Sequence, residues 1–357
     1  MGDLIRVVVL GTGQMGSGIA RLILQKPALQ LVGACARRAE RDGIDLGRAI
    51  GLDRVLGIPI KIDLTALIEQ TQPHIAIQAT SSTLENAWEE LNTLIEHGVN
   101  VISIAEEMAY PAAKSRSKAE QLQQLAVNHG VSVLGTGINP GFVLDLLIIT
   151  LTGVCAEVES ITARRVNDLS PYGPTVLSGQ GVGLAPEAFE QGLRDGTVVG
   201  HIGFDQSLRM IADALGWELE RIEQTREPII SKVRRQTPFV AVEPGQVAGC
   251  LHSAKAYRQG RAVISLIHPQ QIHPHLEGVE TGDSIDIKGA PDLHLEGRPE
   301  IPGGQATEAL AVNMIPQVLQ AAPGLYCMAD LPVPSAMPGN ANFHRFERGV
   351  PKEGGHD

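Results

Sequence analysis

The feature that most narrows what this chain can fold into lies near its start. Six residues at 5–10, Ile-Arg-Val-Val-Val-Leu, run directly into Gly11-Thr12-Gly13-Gln14-Met15-Gly16, and residues 17–25 then carry helical spacing. A short β-branched run is the pattern of a strand buried on both faces of a parallel sheet. Glycines at the first, third and sixth places of the loop each serve the turn that follows. The first permits a tight reversal, the second lets a phosphate approach the backbone, and the third lets the helix lie close to the strand. The amides that open the helix then face that phosphate. The loop therefore predicts a dinucleotide site cradled by Gly11, Thr12, Gly13, Gln14, Met15 and Gly16.

The rest of the chain extends this start. Further strands are expected at 29–36, 75–79, 101–104 and 132–135, with helices at 83–98 and 113–128 between them. Strand and helix in alternation predict an α/β, doubly wound parallel sheet, a Rossmann domain over residues 1–138. The pattern changes after Gly141. A long half-exposed strand at 157–168, a hairpin at 248–257 and 262–268 turning on Arg258-Gln259-Gly260-Arg261, and a strand at 284–288 are interrupted by helices at 186–194 and 205–215. That order predicts an α+β substrate and oligomerisation domain on an antiparallel sheet, residues 139–304. One long helix at 305–320, stopped by Pro323-Gly324, and the segment to 334 are expected to return to the first domain. Residues 335–357, rich in Gly, Pro and charge, read as a mobile or partner-bound tail.

Composition excludes some functions. Aromatic residues make up 3% of the chain and the formal net charge is -11, which argues against a stacking platform or a polyanion-binding surface, so no nucleic acid is expected. The most apolar run, 143–154, is too short to span a membrane and contains Asp145. No basic-then-apolar leader opens the chain, and Arg6 stands where a myristoylation signal wants Ser or Thr. Cys35, Cys155, Cys250 and Cys327 are too far apart for a Cys-x-x-Cys element. The expectation is a cytoplasmic protein with four buried thiols and no membrane partner.

The residues that end the predicted strands carry the candidate chemistry. An NAD site wants an acid near the end of the second strand; here Cys35-Ala36-Arg37-Arg38 stands there, and the first acid is Glu40. Guanidinium groups suit a 2′-phosphate, so NADP is expected, with NAD possible if one arginine stacks on adenine and the other is only solvated. Ala79, Thr80 and Ser81, followed by Ser82, form either a passage for the nicotinamide ribose or a plain capping turn. Glu106 and Glu107 follow another strand: a carboxylate there can take a proton from a substrate ammonium, and alternatively caps a helix or faces solvent. Residues 135–141 suit a hinge, in which Asn139 and Pro140 would meet substrate or cap the turn. Tyr110, Tyr172 and His201 are pocket candidates without a spacing argument. His268, His273 and His275 do not have the spacing of a helical pair, and no metal is expected.

With these residues stand Arg41–Gly47, Ala105–Pro111, Gly137–Asp145, Arg164–Asp168, Gly200–Gly203, Ala311–Pro316 and Asp330–Pro334. On them the chain resembles the 2,4-diaminopentanoate dehydrogenases and related native amine dehydrogenases, within the dihydrodipicolinate-reductase-like group. The resemblance covers nearly the whole chain except the tail. It implies NAD(P)-dependent oxidative deamination of an amine to a ketone and ammonia, and the reverse reductive amination. It also implies a catalytic glutamate in the Glu106–Glu107 pair, where position after the strand favours Glu106. The expected partners are a small amine or ketone, ammonia and a second copy of the chain. An imine reductase or a homoserine- or aspartate-type dehydrogenase would use the same architecture. A sensor that binds NADP without turnover is the alternative of a different class.

Overall fold

In the computed structural model, which describes residues 4–337, the chain divides into two units: residues up to 138 together with those from 304, and residues 139–303. The first unit opens with β1 (Ile5–Leu10), whose last four residues are buried, and α1 (Gln14–Ile23). Then follow β2 (Leu29–Cys35), α2 (Leu46–Ala49), β3 (Ile60–Lys61), α3 (Leu64–Thr71), β4 (Ile75–Gln78), α4 (Leu84–Glu96), β5 (Asn100–Ser103), α5 (Arg116–His129) and β6 (Ser132–Gly135). Helix starts are set by side chains that accept backbone N–H groups: Asp63 for α3, Thr83 for α4 and Ser115 for α5. The strands lie parallel in the order β6-β5-β4-β1-β2-β3. Strand order reverses on either side of β1, and the loops after β1, β2, β4 and β5 all leave from one edge. Ligands of doubly wound sheets bind at such a switch point. The core beneath it is aliphatic, with Val8, Leu10, Ala76, Leu91, Leu94 and Val101 among its members.

The second unit holds α6 (Leu146–Thr152), β7 (Glu157–Asp168), α7 (Pro174–Gly179), α8 (Pro186–Asp195), α9 (Phe204–Ala214), β8 (Arg221–Ile230), the short ribbon β9 (Arg235–Gln236) and β10 (Ala241–Val242), β11 (Val247–Arg258), β12 (Arg261–Gln271), β13 (Gly282–Ala290) and β14 (Leu293–Gly297). Its six-stranded sheet runs β14-β13-β7-β12-β11-β8. The sheet is mixed, which corrects the expected antiparallel one: β7 and β12 pair in parallel from Ile161↔Ile264 to Asp168↔Gln271. Parallel neighbours need a long crossover, and here the excursion through three helices and β8 to β11 supplies it. The β11–β12 hairpin turns at Gln259 and Gly260, both with positive φ, as a two-residue hairpin with matched twist requires.

The chain then comes back to the first unit through α10 (Gly303–Asn313), α11 (Ile315–Gln320) and β15 (Gly324–Tyr326). Two helices replace the single one expected at 305–320. Pro316 sits in the first turn of α11, where its missing N–H costs nothing; inside a continuous helix its ring would meet the Val312 carbonyl. β15 pairs in parallel with β6 and makes the first sheet seven-stranded. Met337 is buried: its N–H donates to Asn313 Oδ1 at 2.9 Å, and its carbonyl accepts from Lys26 Nζ at 2.8 Å. Of the expected tail, 335–357, residues 338–357 lie outside the described residues. No helix among the described residues is long and apolar enough to cross a membrane.

Candidate active site

The loop after β1 is shaped for close approach. Gly11 has φ +98, and a Cβ on it would lie 2.5 Å from the Ala79 carbonyl; a Cβ on Gly16 would lie 1.9 Å from the Gly11 carbonyl oxygen. Side chains at either place would push the loop apart. Gly13 is different: a Cβ there meets nothing within 4 Å, so the space over its backbone is open. Gly13 is also the cap position of α1, no side chain caps that helix, and its first turn carries no acid. An uncapped, acid-free helix start under an open glycine fits the pyrophosphate of a dinucleotide. Ala79 and Thr80 lie against Gly11, which puts the loop after β4 beside this cradle.

The strand ends share one polar network. Gln78 is fully buried at the end of β4. Its Nε2 donates to Thr80 Oγ1 at 2.7 Å, Ser81 Oγ at 3.2 Å and Glu90 Oε2 at 3.2 Å, while its Oε1 accepts from Ser103 Oγ at 2.5 Å. Thr80 Oγ1 also donates to Glu90 Oε2. The other oxygen of Glu90 holds Arg37: Nε lies 2.7 Å from Glu90 Oε1, and Nη2 donates to the Asn86 carbonyl at 2.5 Å. Of the two arginines expected to face a 2′-phosphate, Arg37 is thus tied to α4. Arg38 is exposed, and its side chain has no hydrogen bond or ion pair among the described residues. The network was missed in the sequence because Gln78 reads there as one polar residue in a buried strand, and Glu90 as one acid on a helix face.

Glu106 and Glu107 open a short 3-10 helix, Glu106–Ala109, after β5. Gly135 makes room for it: a Cβ there would lie 1.6 Å from the Met108 carbonyl oxygen. The two acids have different surroundings. Glu107 is buried; its Oε2 accepts the N–H of Leu84, the first residue of α4, at 2.8 Å, and its Oε1 pairs with Lys114 Nζ at 3.0 Å. Its own N–H donates to the Ser82 carbonyl at 3.2 Å. Glu106 has no cationic partner among the described residues. Burial pushes its carboxyl up to about 7 and the neighbouring Glu107 charge adds to the rise, against hydrogen bonds from its own N–H and from Ser82. Such a carboxyl exchanges protons near neutrality.

In the second unit the peptide bond between Asn139 and Pro140 is cis. Both polar atoms of the Asn139 side chain and Nε2 of His201 are buried without a hydrogen-bond partner among the described residues. These groups belong to neighbouring segments: a Cβ on Gly203 would lie 2.4 Å from the Pro140 ring and 3.3 Å from His201 Nε2. Asp145, fully buried, ties the segments together. Its carboxylate accepts from Gly141 N and Leu146 N, each at 2.7 Å, and from Ser207 Oγ on α9 at 2.8 Å. Buried polar atoms left unpaired by the protein suit a polar ligand.

Two further histidines adjoin His201 and were not joined to it from sequence. His252 on β11 and His268 on β12 are register partners, and the His201 and His268 ring centroids are 5.0 Å apart. His252 Nδ1 accepts from His201 N at 3.0 Å while its Nε2 bonds Gln224 Oε1 at 2.9 Å; His268 Nδ1 donates to the Arg165 carbonyl at 2.7 Å. Burial and the positive charges of Arg165 and Arg226 take His201 down to about 3. Burial and Arg226 take His252 down to about 2, and burial also holds His268 well below its ordinary value. All three are neutral at physiological pH. Their signal in sequence was weak, because strand pairing and not spacing brings them together.

Arg165, nearly fully buried, pairs with Asp283 at 2.6 Å and donates to the Ile301 carbonyl at 2.6 Å. The Tyr172 hydroxyl reaches the same place: a Cβ on Gly303 would lie 2.2 Å from that oxygen and 3.8 Å from Arg165 Nη2. Of the three histidines that sequence grouped, His268 goes to the buried cluster, whereas His273 and His275 gather with Asp168, their ligand atoms within 4.8 Å of one another. Asp168 Oδ1 accepts there from Ser170 N, Ser170 Oγ and His273 N, and His273 Nε2 bonds the Gln236 carbonyl. Those bonds close a turn.

Both parts of the chain are similar to known proteins. Residues 5–105 match the N-terminal domain of dihydrodipicolinate reductase, and residues 142–346 match the C-terminal domain of 2,4-diaminopentanoate dehydrogenase. A 2,4-diaminopentanoate dehydrogenase of Acetoanaerobium sticklandii is 43% identical over 342 residues, covering 94% of this chain and 96% of that protein. An amine dehydrogenase of Streptomyces virginiae is 26% identical, covering 94% of this chain and 98% of that one. The solved structure of an amine dehydrogenase from Mycobacterium smegmatis superposes with a TM-score of 0.84 at 29% identity, over 93% of this chain and 97% of that one. The chain belongs to the 2,4-diaminopentanoate dehydrogenase family of oxidoreductases.

Proposed function

We propose that the protein oxidises a small amine to a ketone and ammonia, runs the reverse reductive amination, prefers NADP over NAD, and uses Glu106 as its proton acceptor. One observation carries the reading. At the ligand-binding edge of the sheet stand two adjacent acids, of which Glu107 is committed to Leu84 and Lys114 while Glu106 has no cationic partner among the described residues and is pushed up to about 7. The family and its named relatives, a 2,4-diaminopentanoate dehydrogenase and an amine dehydrogenase, support the substrate class.

The nicotinamide, when bound, supplies the acceptor for a hydride. Gly11 to Gly16 and the start of α1 would hold its pyrophosphate, Ala79, Thr80 and Ser81 its ribose, and Arg38 a 2′-phosphate. Glu106 takes one proton from the substrate ammonium, which frees the nitrogen lone pair. The carbon bearing the nitrogen then loses its hydrogen with both electrons and becomes an iminium. Water adds to that carbon, ammonia leaves, and the ketone remains. The Glu106 carboxylate also favours the developing positive charge. Within the second unit, Asn139 and His201 have buried polar groups without a hydrogen-bond partner among the described residues.

A panel of simple amines, 2,4-diaminopentanoate and hydroxy acids, assayed with NADP and NAD for reduced nicotinamide, tests the reading. Turnover of amines is expected. Turnover of hydroxy acids alone, or dinucleotide binding with no turnover, would overturn it.

A further inference from the structure

We propose that Glu90 is the residue that sets the balance between NADP and NAD, by holding Arg37 away from the 2′-phosphate. The proposal rests on the reading that the adenosine end of a dinucleotide lies at the end of β2. Four observations lead to it. First, β2 ends without the acid that would accept from a ribose 2′-hydroxyl; its place is taken by Ala36, Arg37 and Arg38. Second, Arg37 makes two bonds to α4, one to Glu90 and one to the Asn86 carbonyl. Third, Glu90 cannot readily swing aside, because its other oxygen is held by Thr80 and Gln78 and its side chain is 15% exposed. Fourth, Thr80 lies against Gly11, so successive contacts through Gly11, Thr80, Glu90 and Arg37 join the phosphate loop to the end of β2, where the 2′-phosphate is expected.

The charges along those contacts then have a simple sum. Glu90 and Arg37 neutralise each other, and Arg38 alone is left to meet a 2′-phosphate. Arg37 keeps 45% of its side chain exposed and can turn toward a ligand once its carboxylate partner is gone. An added charge-assisted contact to the phosphate, with one fewer negative charge beneath it, is expected to favour NADP by about tenfold. NAD has no group there for a freed Arg37 to grip.

The test is a titration of both dinucleotides by calorimetry against the wild type, Glu90→Gln, Arg37→Ala, the double variant and Arg38→Ala. Glu90→Gln is expected to raise the NADP-to-NAD affinity ratio about tenfold, and the gain should vanish in the double variant. Arg37→Ala alone leaves the Glu90 charge unbalanced and should lower the ratio, by no more than about tenfold. An unchanged or lower ratio in Glu90→Gln, or a gain that survives in the double variant, would overturn the proposal. A ratio that stays unchanged or rises in Arg37→Ala alone would overturn it too, whether or not Glu90→Gln folds, as would a double variant well below the wild type, which would mean that Arg37 already grips the phosphate. Arg38→Ala separates the two levels of the argument. If it lowers NADP selectivity while Glu90→Gln changes nothing, the cofactor site stands and the role of Glu90 falls. If Arg38→Ala leaves the ratio untouched, the placement of the 2′-phosphate falls and the proposal with it.

Discussion

Replacing Glu106 with Gln should make the protein a far poorer catalyst and, at alkaline pH, a more stable one. A rise of the carboxyl from 4.5 to about 7 in the folded state means that the folded protein holds this proton to higher pH than the unfolded chain does. Raising the pH through that window therefore favours unfolding. The destabilisation grows from about pH 4.5, levels off above pH 7, and has a ceiling of about 3 kcal/mol. The substitution keeps the shape and removes the ionisation. The variant should match wild type near pH 4 and exceed it at pH 8 by about 1–3 kcal/mol, read from urea unfolding at the two pH values. Activity should move the other way. Below pH 7 the wild-type carboxyl is protonated and cannot accept from the substrate, so kcat/KM for amine oxidation should rise with pH through about 7. Losing a general base costs about a hundred- to ten-thousand-fold, and the limb near 7 should disappear from the variant's profile. Near-normal turnover in the variant, or a variant less stable than wild type at pH 8, would refute the reasoning.

Other substitutions separate structural from chemical roles. Glu107→Gln keeps an acceptor for Leu84 but loses the ion pair to Lys114, which is largely exposed; a loss of about 1 kcal/mol in thermal unfolding and a much milder loss of turnover than in Glu106→Gln are expected, and the reverse order would move the proton acceptor to Glu107. Asp145→Ala strands the buried N–H groups of Gly141 and Leu146 and the Ser207 hydroxyl; unfolding should become easier by about 2–4 kcal/mol, and a neutral effect would contradict the bonding described. His201, His252 and His268 should show constant ring-carbon shifts by NMR between pH 5 and 8, since all three are held well below that range; a titration of any of them inside it would contradict their burial.

The parts of this fold that were legible in the sequence are those written over a few neighbouring residues. The β-branched run before Gly11, the glycine spacing and the helical stretch after it place a strand, a turn and a helix in one line of text, and the β11–β12 hairpin is marked by its own turn residues. Pairing between distant segments was not legible. The parallel alignment of β7 with β12 depends on a crossover of many elements, and β8, with its charged edge pattern, offers little alternation to read. The site divides in the same way. The pairs Glu106-Glu107 and Arg37-Arg38 stand out in the sequence because each follows a strand, but the sequence carries no mark of how the members of either pair differ. The hold of Glu90 on Arg37, and the pairing of His252 with His268, join residues that only the folded sheet brings together.

The two glutamates show how far environment outweighs residue type. They are identical, adjacent and on one short turn, yet successive positions on a 3-10 helix point about a third of a turn apart. One direction leads to the open amide at the start of α4 and the ammonium of Lys114, and a carboxylate there is satisfied on both oxygens. The other direction leads to surroundings that offer a Ser82 hydroxyl and, among the described residues, no cation, with the charge of Glu107 close by. Each acid therefore shapes the other. Glu107 fixes the turn by tying it to α4 and to Ser82, and its fixed charge helps keep Glu106 protonated until near neutral pH. A single acid at this strand end would have to choose between anchoring the loop and exchanging a proton. The pair allows a rigid loop to carry a carboxyl poised near neutrality, the condition that an acceptor for a substrate ammonium must meet.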